Sequence, residues 1–208
     1  MEIRIELRHG LEVDDPLRVV LDFVDAGYAY DLSTAAGPST FGESDLRLAN
    51  RGGARISAAE IAAILERRRV IERALRMIPA DASLAGRAGL VPWPAMRQLF
   101  DAFAEIRGVG FAKMTKALHK KRPALVPMLD SVVQRYLVDD DLGDDAPFGE
   151  RALGLVRGYK RDLDRNRAAI RALRRELMKR NHSVTEVRLL DALIWSAAVD
   201  FRSSRSSS

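Results

Sequence analysis

The chain has 208 residues, of which 47% are hydrophobic, so it is long enough for one domain with a buried core. This composition excludes collagen-like, coiled-coil-only and fully disordered proteins. The 34 Lys+Arg against 29 Asp+Glu leave a net charge of only +5. Such weak basicity permits a nucleic-acid partner without requiring one, because phosphate binding depends on where the charges lie.

Residue counts also limit the chemistry of the protein. It has no cysteine, which excludes disulfides, cysteine-ligated zinc, iron–sulfur clusters and thiol catalysis. The three histidines, His9, His119 and His182, are far apart in the chain. We therefore expect no metal and no cofactor. The first residues lack a signal-peptide core and no apolar run approaches about 20 residues, so we expect a cytoplasmic protein that does not enter a membrane.

The N-terminal quarter of the sequence predicts one strand, one helix and a loop. Residues 1 to 8 alternate isoleucine and leucine with charged residues, the period of a half-buried β-strand. Residues 14 to 26 have apolar residues at helical spacing, and Gly27 stands at the position of a helix C-cap. Residues 28 to 43 mix Gly, Pro, small and aromatic residues without a period, which is typical of a loop.

Helical patterns dominate the remaining sequence. Ser57 and Glu60 form a capping-box pattern, which predicts a helix over residues 57 to 78. Pro92 and Pro94 precede apolar residues at helical spacing up to Phe103, so another helix is expected there.

The C-terminal part predicts two further helices. Residues 151 to 180 predict one long helix with eleven Lys+Arg against three acidic residues. This basic face is more typical of a solvated surface over a core stripe than of a base-reading element. A second capping box at Ser183 and Glu186 begins the last helix. We expect a single, mainly α-helical domain over residues 1–201 with a small N-terminal strand element, and a disordered tail over residues 202–208.

A glycine pair near the middle of the chain is the feature of the sequence that says most about function. Residues 103 to 118 read FAEIRGVGFAKMTKAL, with Gly108, Val109 and Gly110 between two helical patterns. Two glycines one residue apart permit a tight turn and leave backbone N–H groups uncovered. Exposed N–H groups at the start of the second helix can bind a phosphate.

Basic residues follow this turn closely, as expected for contacts to a nucleic-acid backbone. They are Lys113, Lys116, His119, Lys120, Lys121 and Arg122. We predict that the hairpin residues Gly108, Val109 and Gly110, together with Lys113, Lys116, His119, Lys120 and Lys121, bind phosphate groups.

The same region resembles the helix-hairpin-helix superfamily of base-excision DNA glycosylases. That superfamily has a Leu-Pro-Gly-Val-Gly hairpin, a short helix, and an apolar-Asp pair that opens the next helix. Here IRGVG stands at 106 to 110 and VPMLDSVVQRYL at 126 to 137, with Asp130 twenty residues after Gly110. This pattern is similar to the adenine-mismatch glycosylase and endonuclease III branches. The resemblance covers about residues 99 to 138, and Arg107 replaces the usual hairpin proline.

The resemblance implies a fold and a reaction. The fold is a helix-hairpin-helix glycosylase-like helical bundle that binds duplex DNA through its phosphate backbone. Asp130 is implied to be the catalytic carboxylate, which stabilises positive charge on the sugar as the base departs. The position of the lyase lysine is occupied by Ala112, so the implied enzyme is a monofunctional glycosylase in DNA repair. The motif does not identify a second catalytic acid.

Other interpretations remain open from the sequence alone. Asp130 is also a suitable N-cap for any helix, and the glycine pair is also compatible with an ordinary helix-helix turn. The protein is then a noncatalytic helix-hairpin-helix nucleic-acid-binding module, or a helical protein whose hairpin only packs against a partner. A glycosylase needs a base-sized cleft beside Asp130, whereas a binding module does not.

Candidate base-contacting aromatic residues are weakly defined by the sequence. Tyr28, Tyr30 and Phe41 in the early loop are the better candidates for a base pocket or a partner contact. Trp93 and Trp195 are more typical of core or hinge aromatic residues.

Overall fold

The structure is a computed structural model that describes residues 3–28 and 37–205, and it is mainly helical. The all-α class predicted from the sequence is therefore confirmed. The α-helices, in chain order, are α1 (Pro16–Phe23), α2 (Glu43–Arg51), α3 (Ala58–Glu66), α4 (Arg68–Arg76), α5 (Trp93–Asp101), α6 (Phe111–His119), α7 (Ser131–Tyr136), α8 (Phe148–Arg165), α9 (Arg167–Lys179) and α10 (Glu186–Arg205).

The predicted N-terminal strand is not confirmed. Residues 3–7 form no strand ladder within the described ranges, although Ile5 and Leu7 alternate into the core as expected. The side chain of Asn166 takes the place of a neighbouring strand: its Oδ1 accepts the Glu6 N–H at 2.7 Å, and its Nδ2 donates to the Glu6 carbonyl at 2.9 Å. One side-chain amide thus satisfies backbone groups that a sheet would pair.

The segment after the first turn is helical, as predicted, with different bounds. Asp15 is the N-cap of α1 and accepts the Arg18 N–H at 3.2 Å. Beyond α1 the backbone continues as a π-helix over Val24–Tyr28, so Gly27 does not end the helix. Of the predicted loop over residues 28 to 43, residues 29–36 lie outside the described part of the chain.

The helix predicted over residues 57 to 78 is two helices, α3 and α4, that meet at Arg67. Its capping box is confirmed, because the Ser57 N–H donates to Glu60 Oε2 at 2.8 Å and the Glu60 N–H to Ser57 Oγ at 3.3 Å. The backbone of Arg67 has ψ of 2°, which interrupts the α-helical path.

The long basic helix predicted over residues 151 to 180 is also divided. α8 and α9 meet at Asn166, whose ψ of 10° departs from helical geometry. The Asn166 amide holds the backbone of Glu6 and also donates to the Asp162 carbonyl at 2.9 Å. The residue at the helix break, Asn166, thus bonds a residue 160 positions away in the sequence.

The last helix begins later and ends later than predicted. α10 starts at Glu186, and the hydroxyl of Thr185 accepts the Arg188 N–H at 3.2 Å, so Thr185 rather than Ser183 caps it. The tail predicted to be disordered is helical up to Arg205, and residues 206–208 lie outside the described ranges.

Helix packing brings α6, α7 and α10 around one region of the protein. α5 packs on α8, α2 packs on α6, and α10 contacts α1, α7, α8 and α9. The core between them contains fully buried Phe100, Phe103, Leu118, Val156 and Leu193. Within the described ranges, no helix is long and apolar enough to cross a membrane.

Candidate functional site

A tight turn precedes α6 at the predicted hairpin. Gly108 has φ of +82°, in the left-handed region that favours glycine. The Val109 N–H donates to the Ile106 carbonyl at 3.0 Å and closes the turn. Gly110 is the N-cap of α6. The glycine pair therefore forms a turn directly before a helix, as the sequence predicts.

The N-terminus of α6 presents unused hydrogen-bond donors. Gly110 provides no side-chain cap. In the described part of the chain, the backbone N–H groups of residues 110–113 donate to no protein acceptor. Together with the positive end of the helix dipole, these groups form an arrangement that can receive an anion.

A carboxylate of the protein lies beside this turn. Glu60 Oε1 accepts a hydrogen bond from Lys113 Nζ at 2.6 Å, and a Cβ atom added to Gly108 would overlap the Glu60 carboxylate. The hydrogen bond from Lys113 lowers the pKa of Glu60. Lys113 is thus directed toward Glu60, and a phosphate approaching the hairpin would meet this ion pair.

The basic residues after Lys113 divide into one surface lysine and a buried group. Lys116 is partly exposed, and its Nζ donates to the Gly53 carbonyl at 3.2 Å. His119, Lys120 and Lys121 have exposed fractions of 0%, 1% and 3%. These three side chains face the interior, so the structure does not place them on a surface that DNA phosphates reach.

The buried basic residues form ion pairs and hydrogen bonds in the protein interior. Lys121 Nζ pairs with Asp45 Oδ1 at 2.6 Å, with both side chains buried. His119 Nδ1 lies 2.6 Å from the Val126 carbonyl. The buried guanidinium of Arg122 donates to the carbonyls of Pro38, Leu75, Ile78 and Lys121, and burial lowers its pKa.

Asp130 stands at the start of α7, as the sequence predicts. Its Oδ1 accepts the N–H groups of Val132 at 2.9 Å and Val133 at 3.0 Å, so it is the N-cap of that helix. The preceding residue is fixed to α6, because the Leu129 N–H donates to Thr115 Oγ1 at 2.9 Å. The hairpin helix therefore positions Asp130.

A cleft opens beside Asp130. Its volume is about 420 Å³, and its walls come from α1, α6, α7 and α10. The residues that matter for chemistry here are Phe23, Lys116, Asp130, Arg188, Asp191 and Trp195. The structure thus brings together Lys116, from the helix that follows the hairpin, and Asp130 at one cavity. This is the feature that a glycosylase needs and a simple binding module does not.

Asp191 is a second carboxylate in this cleft, and the sequence analysis missed it. The Tyr159 hydroxyl lies 2.5 Å from the Val187 carbonyl and 3.0 Å from Asp191 Oδ1, and Asp191 Oδ2 lies 3.7 Å from Arg188 Nη1. Burial raises the pKa of Asp191 to about 6, although Arg188 opposes this shift. An aspartate within a helical pattern gives no local signal of such burial.

Aromatic and cationic groups line the rest of the cleft. The Arg188 guanidinium lies 4.5 Å from the centroid of the Phe23 ring, a cation–π contact. Trp195 is 48% exposed, so much of its indole is available for stacking. Trp195 is therefore an aromatic candidate for contact with a ligand.

Among the aromatic residues singled out from the early loop, Phe41 is the one whose side chain the structure describes. Phe41 is fully buried and packs edge-on against Phe103 at 6.1 Å between centroids. Tyr30 lies outside the described residues, and only the backbone of Tyr28 is described. Trp93 contacts the guanidinium of Arg157 at 5.6 Å and does not line the cleft.

Across the described ranges, no group of three or more His, Asp or Glu side chains is arranged to hold a metal ion.

Comparison with known proteins gives the family of the chain. No curated protein and no solved structure matches it. A family model does match residues 26–198, which include the hairpin, Asp130 and Asp191. The chain therefore belongs to DUF6308, a family of unknown function.

Proposed function

We propose that this protein is a DNA-binding, glycosylase-like hydrolase that cleaves the N-glycosidic bond of a flipped-out damaged or modified base. The observation that carries the proposal is that Asp130 lines a cleft of about 420 Å³ together with Lys116 of the hairpin helix. The sequence resemblance concerns the hairpin and Asp130 only. The cleft is an independent feature that the same reaction requires.

The cleft suits a nucleobase in size and lining. Ligand pockets of about 300–1,000 Å³ accommodate drug-sized molecules, and a nucleobase is smaller than these. The exposed face of Trp195 offers a stacking surface, and Arg188 offers hydrogen-bond donors for a base edge. Enzymes that act on flipped bases use these two kinds of contact.

The hairpin provides a second contact with DNA. The N–H groups at residues 110–113 are oriented along α6, and an α-helix rises about 1.5 Å per residue, so Lys116 lies about 7 Å further along the axis. A strand bound by a phosphate at the hairpin therefore passes close to the cleft. Phosphate contacts of this type fix the position of DNA without reading its sequence.

Asp130 is proposed to support the chemical step. Cleavage of the glycosidic bond leaves positive charge on the sugar, and an ionised carboxylate nearby stabilises that charge. Asp130 is held at the cleft by the two backbone N–H groups that its Oδ1 accepts. Water then adds to the sugar carbon. Ala112 cannot form a Schiff base, and the Lys113 amine is paired with Glu60, so we expect the reaction to stop at the abasic site.

The test uses duplex oligonucleotides that carry deaminated, oxidised, alkylated or mismatched bases. Base release is measured as strand cleavage after alkali treatment. Asp130→Asn should reduce release at least about 100-fold with little change in DNA affinity, because the amide keeps the capping geometry but loses the charge. Asp15→Asn is a matched control, since Asp15 caps α1 and lies outside the cleft.

The same reactions test the expected product. Wild-type protein should leave unbroken abasic DNA until alkali is added, and borohydride should trap no covalent complex. Full release by Asp130→Asn would move the reaction away from Asp130. A trapped complex would show that a lysine takes part.

A noncatalytic DNA-binding module is the second candidate. It is favoured by the capping contacts of Asp130, because these explain the residue without any reaction. This function predicts salt-dependent duplex binding and no base release from any substrate in the panel.

A further inference from the structure

The geometry points to Asp191 as the proton donor that protonates the departing base, while Asp130 stabilises charge on the sugar. This inference rests on the proposed glycosylase function and adds a second catalytic residue to it. Asp191 lies on α10, far outside the hairpin and Asp130 segment that the sequence analysis singled out.

Asp191 is held in the cleft by contacts from two sides. Its side chain lines the same cleft as Asp130 and is only 4% exposed. The Tyr159 hydroxyl, 3.0 Å from Oδ1, holds one edge of the carboxyl group. The Met128 N–H lies 3.5 Å from Oδ2, so the carboxyl group is held from α8 on one side and from the Asp130 segment on the other.

The electrostatic surroundings give the two carboxyl groups different tasks. Asp130 is the N-cap of α7, and its side chain accepts two backbone N–H groups. Asp191 is buried, and burial favours its neutral, protonated form, with a pKa of about 6. Pairs of carboxyl groups with such contrasting environments divide the roles of acid and charge stabiliser in other glycoside-cleaving sites.

Several charged and titratable groups surround Asp191. Arg188 and His119 lower its pKa, as does the hydrogen bond from Tyr159, whereas Asp130 raises it. The groups that face it or the cleft around it are Arg188 on α10, Tyr159 on α8, His119 and Lys116 on α6, Asp130 before α7 and Asp22 on α1. On α9, Arg174 faces the start of α10 and pairs with Glu186 at 2.6 Å.

The proposed step balances in atoms and charge. The bond between C1′ and the base nitrogen breaks, and its electron pair stays with the base, which takes the proton of Asp191. Water adds its oxygen to C1′, and its released proton passes to Asp130 and then to solvent. Asp191 regains a proton from solvent. The products are the free base and an abasic sugar, and water is the sole co-reactant.

The experiment is a pH profile of single-turnover base release with the best substrate of the panel. Above about pH 6, the wild-type rate should fall about tenfold per pH unit as Asp191 loses its proton. Asp191→Asn should lower the rate at pH 5.5 about 100-fold or more and abolish this decline, while DNA affinity stays unchanged. Asp81→Asn, at an exposed turn outside the cleft, should match wild type.

Tyr159→Phe separates a catalytic role from a structural one. Its hydroxyl bonds Asp191 and lowers the pKa of that residue, so its loss should move the decline to higher pH. A carbon-detected NMR titration of the Asp carboxyl groups in the free protein should show one group near pH 6 that Asp191→Asn removes.

The outcomes separate this inference from the proposed function. If wild-type protein releases the base and Asp130→Asn does not, but Asp191→Asn keeps the wild-type rate and pH decline, Asp191 is not the proton donor. No release from any substrate overturns the glycosylase function and the donor role with it, whatever the NMR titration shows. An unchanged decline in Tyr159→Phe also contradicts the inference.

Discussion

Replacing Asp191 by asparagine should change how the stability of the protein depends on pH. The folded-state pKa of Asp191 is about 6, against an ordinary value of 3.8. A raised folded-state pKa means that the folded protein binds this proton more tightly than the unfolded chain. The stabilising contribution is therefore complete below about pH 4 and is lost as the pH rises through about 6.

The size of the effect follows from the difference of 2.2 between the two pKa values. Each unit corresponds to about 1.4 kcal/mol, so wild-type protein should lose about 3 kcal/mol between pH 4 and pH 7.5 from this group alone. The asparagine side chain has the shape of the neutral acid and cannot ionise. Asp191→Asn should therefore be more stable than wild type at pH 7.5 by up to about 3 kcal/mol, less the lost attraction to Arg188.

Urea denaturation at half-unit steps from pH 4 to pH 8 tests this reasoning. The quantity to plot is the difference in free energy of unfolding between Asp191→Asn and wild type, because the other titrating groups cancel in it. The difference should rise between pH 4 and pH 7 and then level off. Asp81→Asn should give a flat difference. A flat difference for Asp191→Asn would refute the assignment of a raised pKa and would weaken the proton-donor role.

Two further predictions concern the hairpin and the interior. Glu60→Gln removes negative charge beside the hairpin amides while an acceptor for the Ser57 N–H remains, so duplex affinity by fluorescence anisotropy at low salt should rise about threefold. Glu66→Gln, the same change at the exposed end of α3, should rise less, and equal effects would exclude a hairpin contact. Arg122→Met should lower the free energy of unfolding by about 2–4 kcal/mol, because four carbonyls lose their donor. A urea midpoint equal to that of wild type would contradict this.

Local patterns predicted the features that depend on neighbouring residues. The Ser57–Glu60 capping box and the Gly108–Gly110 turn form as expected because each is closed by atoms a few residues apart. The strand over residues 1 to 8 and the unbroken helix over 151 to 180 were not borne out, and one contact joins the two segments. The Asn166 side chain bonds the Glu6 backbone, and no local pattern contains that contact.

The candidate site likewise contains one residue that the sequence indicated and one that it did not. Asp130 was singled out by the resemblance of its segment to the glycosylase pattern, and the structure places it at the cleft. Asp191 was not singled out, because its environment is made by Tyr159 of α8 and Arg188 one helical turn away. From the sequence, Lys120 and Lys121 directly after α6 were expected to be exposed basic residues. In the structure, Lys121 is buried in an ion pair with a distant acid, Asp45.

The hydrogen bonds of the Arg122 guanidinium affect how the proposed complex with DNA would form. This side chain ties the C-terminal end of α6 to the end of α4 and to Pro38. A shift of α6 that carried Arg122 with it would break these hydrogen bonds together. If the protein binds DNA as proposed, bending and unstacking of the duplex are then the easier way to bring a base to the cleft. Bases beside flexible or weakly paired steps would enter at the lowest free-energy cost.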